Sequence, residues 1–226
     1  RMMGGEFVML SLVPILIGVL AAVACALPGN FLVLRRQALI GDAISHVVLP
    51  GIVVGFLLSG TVNSWAMMAG AAGAAVVAVM LIELIRRLGR IEPGAAMGVA
   101  FTSMFAFGVL LLEQSDTSSV HLDVQHALYG NLESLIWVEA RGWGSLLDPV
   151  ALAGLPPELP RIAIVAALML LFTVVFWRPL KISTFDEGFA RVLGMRTNLI
   201  GLGLVIMAAI AAVAAFDAVG SIIVIA

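Results

Sequence analysis

An all-α bundle of membrane-crossing helices is the fold class predicted for this chain, and three observations predict it. The 226 residues are 62% hydrophobic and 12% charged, where soluble domains carry about 25% charged residues. The mean hydropathy is +1.14. Apolar runs recur along the chain at about the 17–25 residues a helix needs to cross the hydrocarbon layer. That layer offers the backbone no water, and a helix satisfies every N–H and C=O from within.

The first run covers residues 7–27 and holds the single cysteine, Cys25, which excludes an intrachain disulfide and reads as a small apolar side chain. It is followed by many others, so it reads as a span rather than a cleaved signal peptide. The second covers 38–58. After a short turn at 59–64, the third runs over 65–85, rich in Gly and Ala, which suits close helix packing. The fourth covers 94–112, the fifth 162–177 and the sixth 199–215, and a further span starts at 219–226. The whole, 1–226, reads as one transmembrane domain. The chain begins with Arg1 and ends inside an apolar run at Ala226, so both ends read as cut.

Positive charge orients the spans. Arg35, Arg36, Arg86, Arg87, Arg90, Arg178, Lys181, Arg191 and Arg196 fall on one side of an alternating topology, and Arg1, Arg141 and Arg161 on the other. The first side is expected to be cytoplasmic, with the N-terminus outside. Trp65 and Trp177 lie at span ends, as interfacial aromatics do. The net charge of -2 has no basic excess and speaks against nucleic acid.

Within the second span stand Asp42 and His46. An acid at the bilayer centre costs about 2.5–3.5 kcal/mol on insertion scales, so it needs a reason. Four residues apart on a helix, the two share a face. A carboxylate and a neutral imidazole together suit a divalent first-row metal. The other reading is a structural hydrogen bond between helices. Gly41, Pro50 and Gly51 bracket the pair with residues that allow a bend or a close approach.

Between the fourth and fifth spans lies a long outer segment, 113–160, closed by Pro149, Pro156, Pro157 and Pro160. Glu113, Asp116, Asp123, Glu133, Glu139, Asp148 and Glu158 make it acidic. Residues 122–136 have an amphipathic helical pattern. Asp123 and His126 can share a helical face there, with His121 just before them, and all three histidines of the chain fall in these two clusters. The alternative is a solvated polar helix end.

Near the other end, Thr184 and Glu187 have the spacing of a capping box, which predicts a short helix starting at Phe185 and ended by Gly194. Phe185, Phe189, Val192 and Leu193 would line one face of it, away from Asp186, Glu187 and Arg191. Enzyme signatures are missing. The single lysine, Lys181, follows no glycine loop, so a P-loop is excluded; there is no His-Glu-x-x-His; and the neighbours Ser45 and His46 do not face each other on a helix.

GDAISHVVLPGI at 41–52, preceded by FLVLRRQAL at 31–39, closely resembles the signature of bacterial metal-ion ABC importer permeases, the membrane subunits for zinc, manganese and ferrous iron. LDVQHALYGNL at 122–132 is similar to the family's outer helix, STFDEGFARVLGM at 183–195 to its cytoplasmic coupling segment, and FDAVGSIIVIA at 216–226 to the start of a late helix. The resemblance implies the helical fold shared with cobalamin and siderophore importers, seated in the lipid of the bacterial inner membrane. It implies a second permease copy, identical or related, a separate ATP-binding cassette ATPase, and an extracytoplasmic metal-binding protein. The permease itself would be no enzyme and hold no permanent cofactor, its cargo being Mn2+, Zn2+ or Fe2+. Ser45-His46 followed by Pro50-Gly51 looks most like manganese and iron members. Asp186, Glu187, Ala190, Arg191 and Gly194 would meet the ATPase. Relatives continue past Ala226, and 136–160 is longer than in some of them. The rival readings are a proton-coupled secondary transporter or channel and, third, an intramembrane metalloenzyme.

Overall fold

Hydrocarbon gives the backbone no partners, and every long apolar run among the described residues is helical. The computed structural model describes residues 2–35, 37, 39–59, 64–114, 135–140 and 142–219. Helix α1 (Met2–Phe7) passes through a π turn at Val8–Leu12 into α2 (Val13–Leu34). Then follow α3 (Leu39–Ser59), α4 (Ser64–Gly89) and α5 (Pro93–Gln114). A 3-10 turn at Trp143–Leu147 and the short α6 (Pro149–Ala153) precede α7 (Glu158–Val175). The last elements are α8 (Trp177–Phe185), α9 (Glu187–Val192) and α10 (Thr197–Val219). Among the described residues, five stretches are long and apolar enough to cross a membrane: Gly5–Leu34, Ala66–Arg86, Gly94–Leu111, Glu158–Val175 and Thr197–Val219. At 21 residues α3 has a span's length too. The chain is a multi-pass membrane protein.

Two ends define the bundle. The basic end holds Arg35 after α2, Arg90 after α4, and α8 and α9 with Arg178, Lys181 and Arg191. The opposite end holds the start of α1, residues 135–140 and 142–157, and the finish of α10. The first span runs past the expected residue 27 to Leu34 despite Pro28 inside it, because Phe31 and Leu32 beyond the proline are buried in the core. The fifth begins at Glu158 rather than 162. The prolines expected to close the loop instead start a helix: Pro157 is its N-cap and Pro160 lies in its first turn, where a missing N–H is tolerated.

Helix α10 is the centre, packing on α2, α3, α4 and α7. Half of its apolar window is buried within the protein, against 22–28% for the other four spans. Those others turn large apolar side chains outward, as Leu171 and Val174 of α7 do, which lipid accepts as readily as a core. With no hydrophobic drive between helices in lipid, contact depends on backbones coming close. Here α3 and α4 do so through Gly51, Gly55 and Gly70. A Cβ added at Gly51 would stand 2.5 Å from the Ala71 Cα, and one at Gly55 2.5 Å from the Ala66 carbonyl oxygen. On another side of α3, a Cβ at Gly108 of α5 would stand 2.6 Å from the Pro50 Cβ. The Gly/Ala-rich composition of α4 is expressed as this close crossing.

At the opposite end, residues 135–140 and 142–157 fold onto the first span. Trp137 is buried; its indole Nε1–H donates to the Ala151 carbonyl at 2.7 Å, and its backbone N–H donates to the Met9 carbonyl at 2.9 Å. The reason the Met9 carbonyl is available is local. A π turn pairs each carbonyl with the N–H five residues on, and five residues after Met9 stands Pro14, which has none. Arg161 of α7 pairs with Asp217 of α10 at 2.9 Å and joins those two helices at the same end.

Candidate metal path and coupling site

Helix α3 is unbroken from Leu39 through position 46 to Ser59. Positions 42 and 46 are therefore one turn apart, with a rise of about 6 Å between them. They fall in the first turns of the helix, near the basic end, as the expected span over 38–58 also places them. A first turn is the positive end of the helix macrodipole, where an acidic residue is favoured. The turns that follow are enclosed: Val47, Pro50, Gly51, Ile52 and Val53 are buried. The side chains of Asp42 and His46 lie outside what the structure describes, and so do His121, Asp123 and His126 altogether, with the amphipathic pattern at 122–134. Among the described residues no cluster of three or more His, Cys, Asp or Glu is present.

The segment 183–195 is described in full, and its cap differs from the expected one. Thr184 belongs to α8, and Asp186 separates α8 from α9 with an extended backbone at φ -145°. The Asp186 carboxylate accepts from the Phe189 N–H at 2.8 Å, so the N-cap is Asp186 and the helix starts at Glu187 rather than Phe185. Thr184 is occupied elsewhere, accepting from Arg35. Glu187 pairs with Arg191 one turn on at 2.6 Å and accepts from the Thr197 hydroxyl at 3.2 Å. The hydrogen bond from Arg191, more than any other influence, holds the Glu187 carboxyl below its ordinary range. Ala190 is buried. Gly194 ends the helix as expected: at φ +77° it takes the left-handed position, its N–H reaches the Arg191 carbonyl and the Met195 N–H the Ala190 carbonyl, a full Schellman motif.

The outward face of this segment is apolar and uncovered. Phe185, Phe189, Val192 and Leu193 are exposed, Val192 to 85%. A groove of about 540 Å³ beside them is lined by Trp177, Arg178, Lys181, Ile182, Phe185, Asp186 and Phe189. Asp186, Glu187, Ala190, Arg191 and Gly194 thus come together on one short, doubly capped helix.

A residue to which sequence reasoning gave no role at this site joins it. Arg35, just past α2, donates from Nε to the Thr184 hydroxyl at 3.0 Å and from a terminal nitrogen to the Ser183 hydroxyl at 2.6 Å. Burial lowers its guanidinium from the ordinary value, and the Glu187 charge opposes that fall. Nothing local signals these partners, because they lie 149 and 148 residues away in sequence.

Comparison with known proteins adds to this geometry. The pattern of the ABC 3 transport family matches residues 9–138 and 152–226. The chain is 40% identical over 214 residues to the zinc transport system membrane protein TroD of Treponema pallidum (strain Nichols), over 94% of this chain and 55% of that protein. It is 38% identical over 209 residues to the manganese transport system membrane protein MntD of Bacillus subtilis (strain 168), over 92% of this chain and 68% of that protein. The solved structure of PsaBC from Streptococcus pneumoniae in complex with Fab is similar at a TM-score of 0.70 and 26% identity, over 94% of this chain and 67% of that one. The chain spans 55% of the length of the treponemal protein and 68% of that of the Bacillus protein.

Proposed function

Because this chain belongs to the ABC 3 transport family, we propose that it is the membrane permease of an ATP-driven importer for a divalent transition-metal cation. The observation that carries the reading is the extent of the family match, which takes in both α3, with Asp42 and His46, and α9 with its exposed apolar face. In this reading the basic end faces the cytoplasm of a bacterial inner membrane and the N-terminus lies outside. A binding protein delivers the ion at the acidic outer segment, where Asp123, His126 and His121 stand nearest the mouth. The carboxylate of Asp42 and the imidazole of His46 take the ion in transit, alongside a second permease copy. The face of α9 that carries Phe189 and Val192, with Phe185 at the end of α8, seats in a separate ATPase, whose closure drives the alternation.

Manganese is the cargo to test first: oxygen and imidazole donors suit it, and no thiolate is called for. One relative named for zinc and one named for manganese match at similar identity, so the choice belongs to measurement. In proteoliposomes holding permease, ATPase and binding protein, Asp42→Asn or His46→Ala should abolish ATP-dependent uptake of labelled manganese without loss of assembly. Asp123→Ala with His126→Ala should reduce uptake or the docking of the binding protein. Wild-type uptake in both single variants would sink the path; uptake without ATP would replace the importer by a secondary transporter. Metal retained by the purified complex, read by mass spectrometry, names the cargo.

A further inference from the structure

Elements from both halves of the chain meet at one guanidinium. Arg35 ends α2 and leads through residues 36–38 into α3. Two of its nitrogens reach Ser183 and Thr184 in the last turn of α8. A third lies against α10, where a Cβ added at Gly201 would stand 3.0 Å from it. The carboxylate of Glu187 on α9 acts on it through charge. One of the acceptors is itself fixed. Ser183 is buried, and its hydroxyl donates to the Pro179 carbonyl at 2.6 Å, so its lone pairs are left for the arginine. Glu187 is tied to Arg191 and to Thr197 at the start of α10. A planar fork spanning two hydroxyls, that of Ser183 tied to its own helix, transmits displacement in a way that a mobile ammonium does not.

We propose that Arg35 is the positioning residue that carries movement of the α8–α9 segment to the start of α3, and hence to Asp42 and His46. The proposal rests on the reading of α9 as the ATPase contact. It adds a route: the segment that feels the ATPase is bonded by side chains to the residue that leads into the metal-bearing helix. Coupling of this kind needs an element that both sites bias, and in this proposal Arg35, bonded to α8 and four residues before α3, supplies it.

The test is metal moved per ATP hydrolysed, measured in proteoliposomes holding the complete complex. Arg35→Lys keeps the charge and loses the fork. Ser183→Ala with Thr184→Val keeps the arginine and removes its acceptors. Each should lower metal per ATP by about tenfold, the order expected for losing charge-assisted hydrogen bonds. The two changes combined should do no more than either alone. A merely structural role would reduce the amount of assembled complex and leave metal per ATP as it was, and that result overturns the proposal. So does loss of the ATPase from the Arg35→Lys complex, which would make Arg35 a docking residue. If Arg35→Lys does not assemble, the acceptor variant decides. Failure of the wild-type complex to link uptake to ATP would instead refute the function, and the two failures are thereby distinct.

Discussion

At Asp186 a negative charge and a helix cap reside in one side chain, and substitution separates them. Its carboxylate takes the Phe189 N–H at the start of a six-residue helix, too short to persist without such help. Asp186→Asn keeps an acceptor and drops the charge; Asp186→Ala drops both. The alanine variant should lose about 1 kcal/mol of local stability, seen as faster amide exchange at Phe189, and should bind the ATPase more weakly. The asparagine variant should resemble wild type in exchange. If it nevertheless releases the ATPase, charge rather than shape holds the partner. Reversing Asp186 and Glu187 to lysine combines these effects, and also breaks the Glu187–Arg191 pair, so it should detach or uncouple the ATPase outright. Co-purification of the ATPase with the still-inserted permease reads all three.

Among the elements, α3 is the one most closely held, and glycine is the means. Gly51→Leu would drive a side chain into the Ala71 backbone of α4, where nothing is free to rotate away. The cost should exceed the about 1–3 kcal/mol typical of overpacked cores, because backbone must move. Gly18→Ala in α2, by contrast, meets nothing within 4 Å and should be neutral or stabilise by up to about 1 kcal/mol. Melting of the detergent-purified complex compares the two, and equal melting temperatures would show the α3–α4 crossing to be loose. The existence of these helices was legible in the sequence because hydrocarbon leaves an apolar run few alternatives. Their ends were less so. Thr184 has the capping-box spacing, but it lies inside α8 and its hydroxyl accepts from Arg35, arriving from another helix, so the cap falls to Asp186. The span expected over 38–58 is α3 at Leu39–Ser59, so both the one-turn spacing of Asp42 and His46 and their place early in the helix were legible.

For the whole molecule, sequence reading left 136–160 without a role. The information lay in Trp137, whose partners, Met9 and Ala151, are set by tertiary packing. The bond from Trp137 to Met9 also has a consequence in time. A chain is made from its N-terminus, so α1 and α2 enter the bilayer before residue 137 exists. Until then the Met9 carbonyl has no outside donor, and Pro14 supplies none within the π register. The expected outcome is that the wide turn at Val8–Leu12 forms late, completed only when a distant part of the chain arrives. Pro14→Ala supplies an N–H at once. In pulse-labelled cells, that variant's first span should become protease-resistant before residue 137 is translated, and the wild type's only after; resistance appearing at the same chain length in both would mean the span never waits.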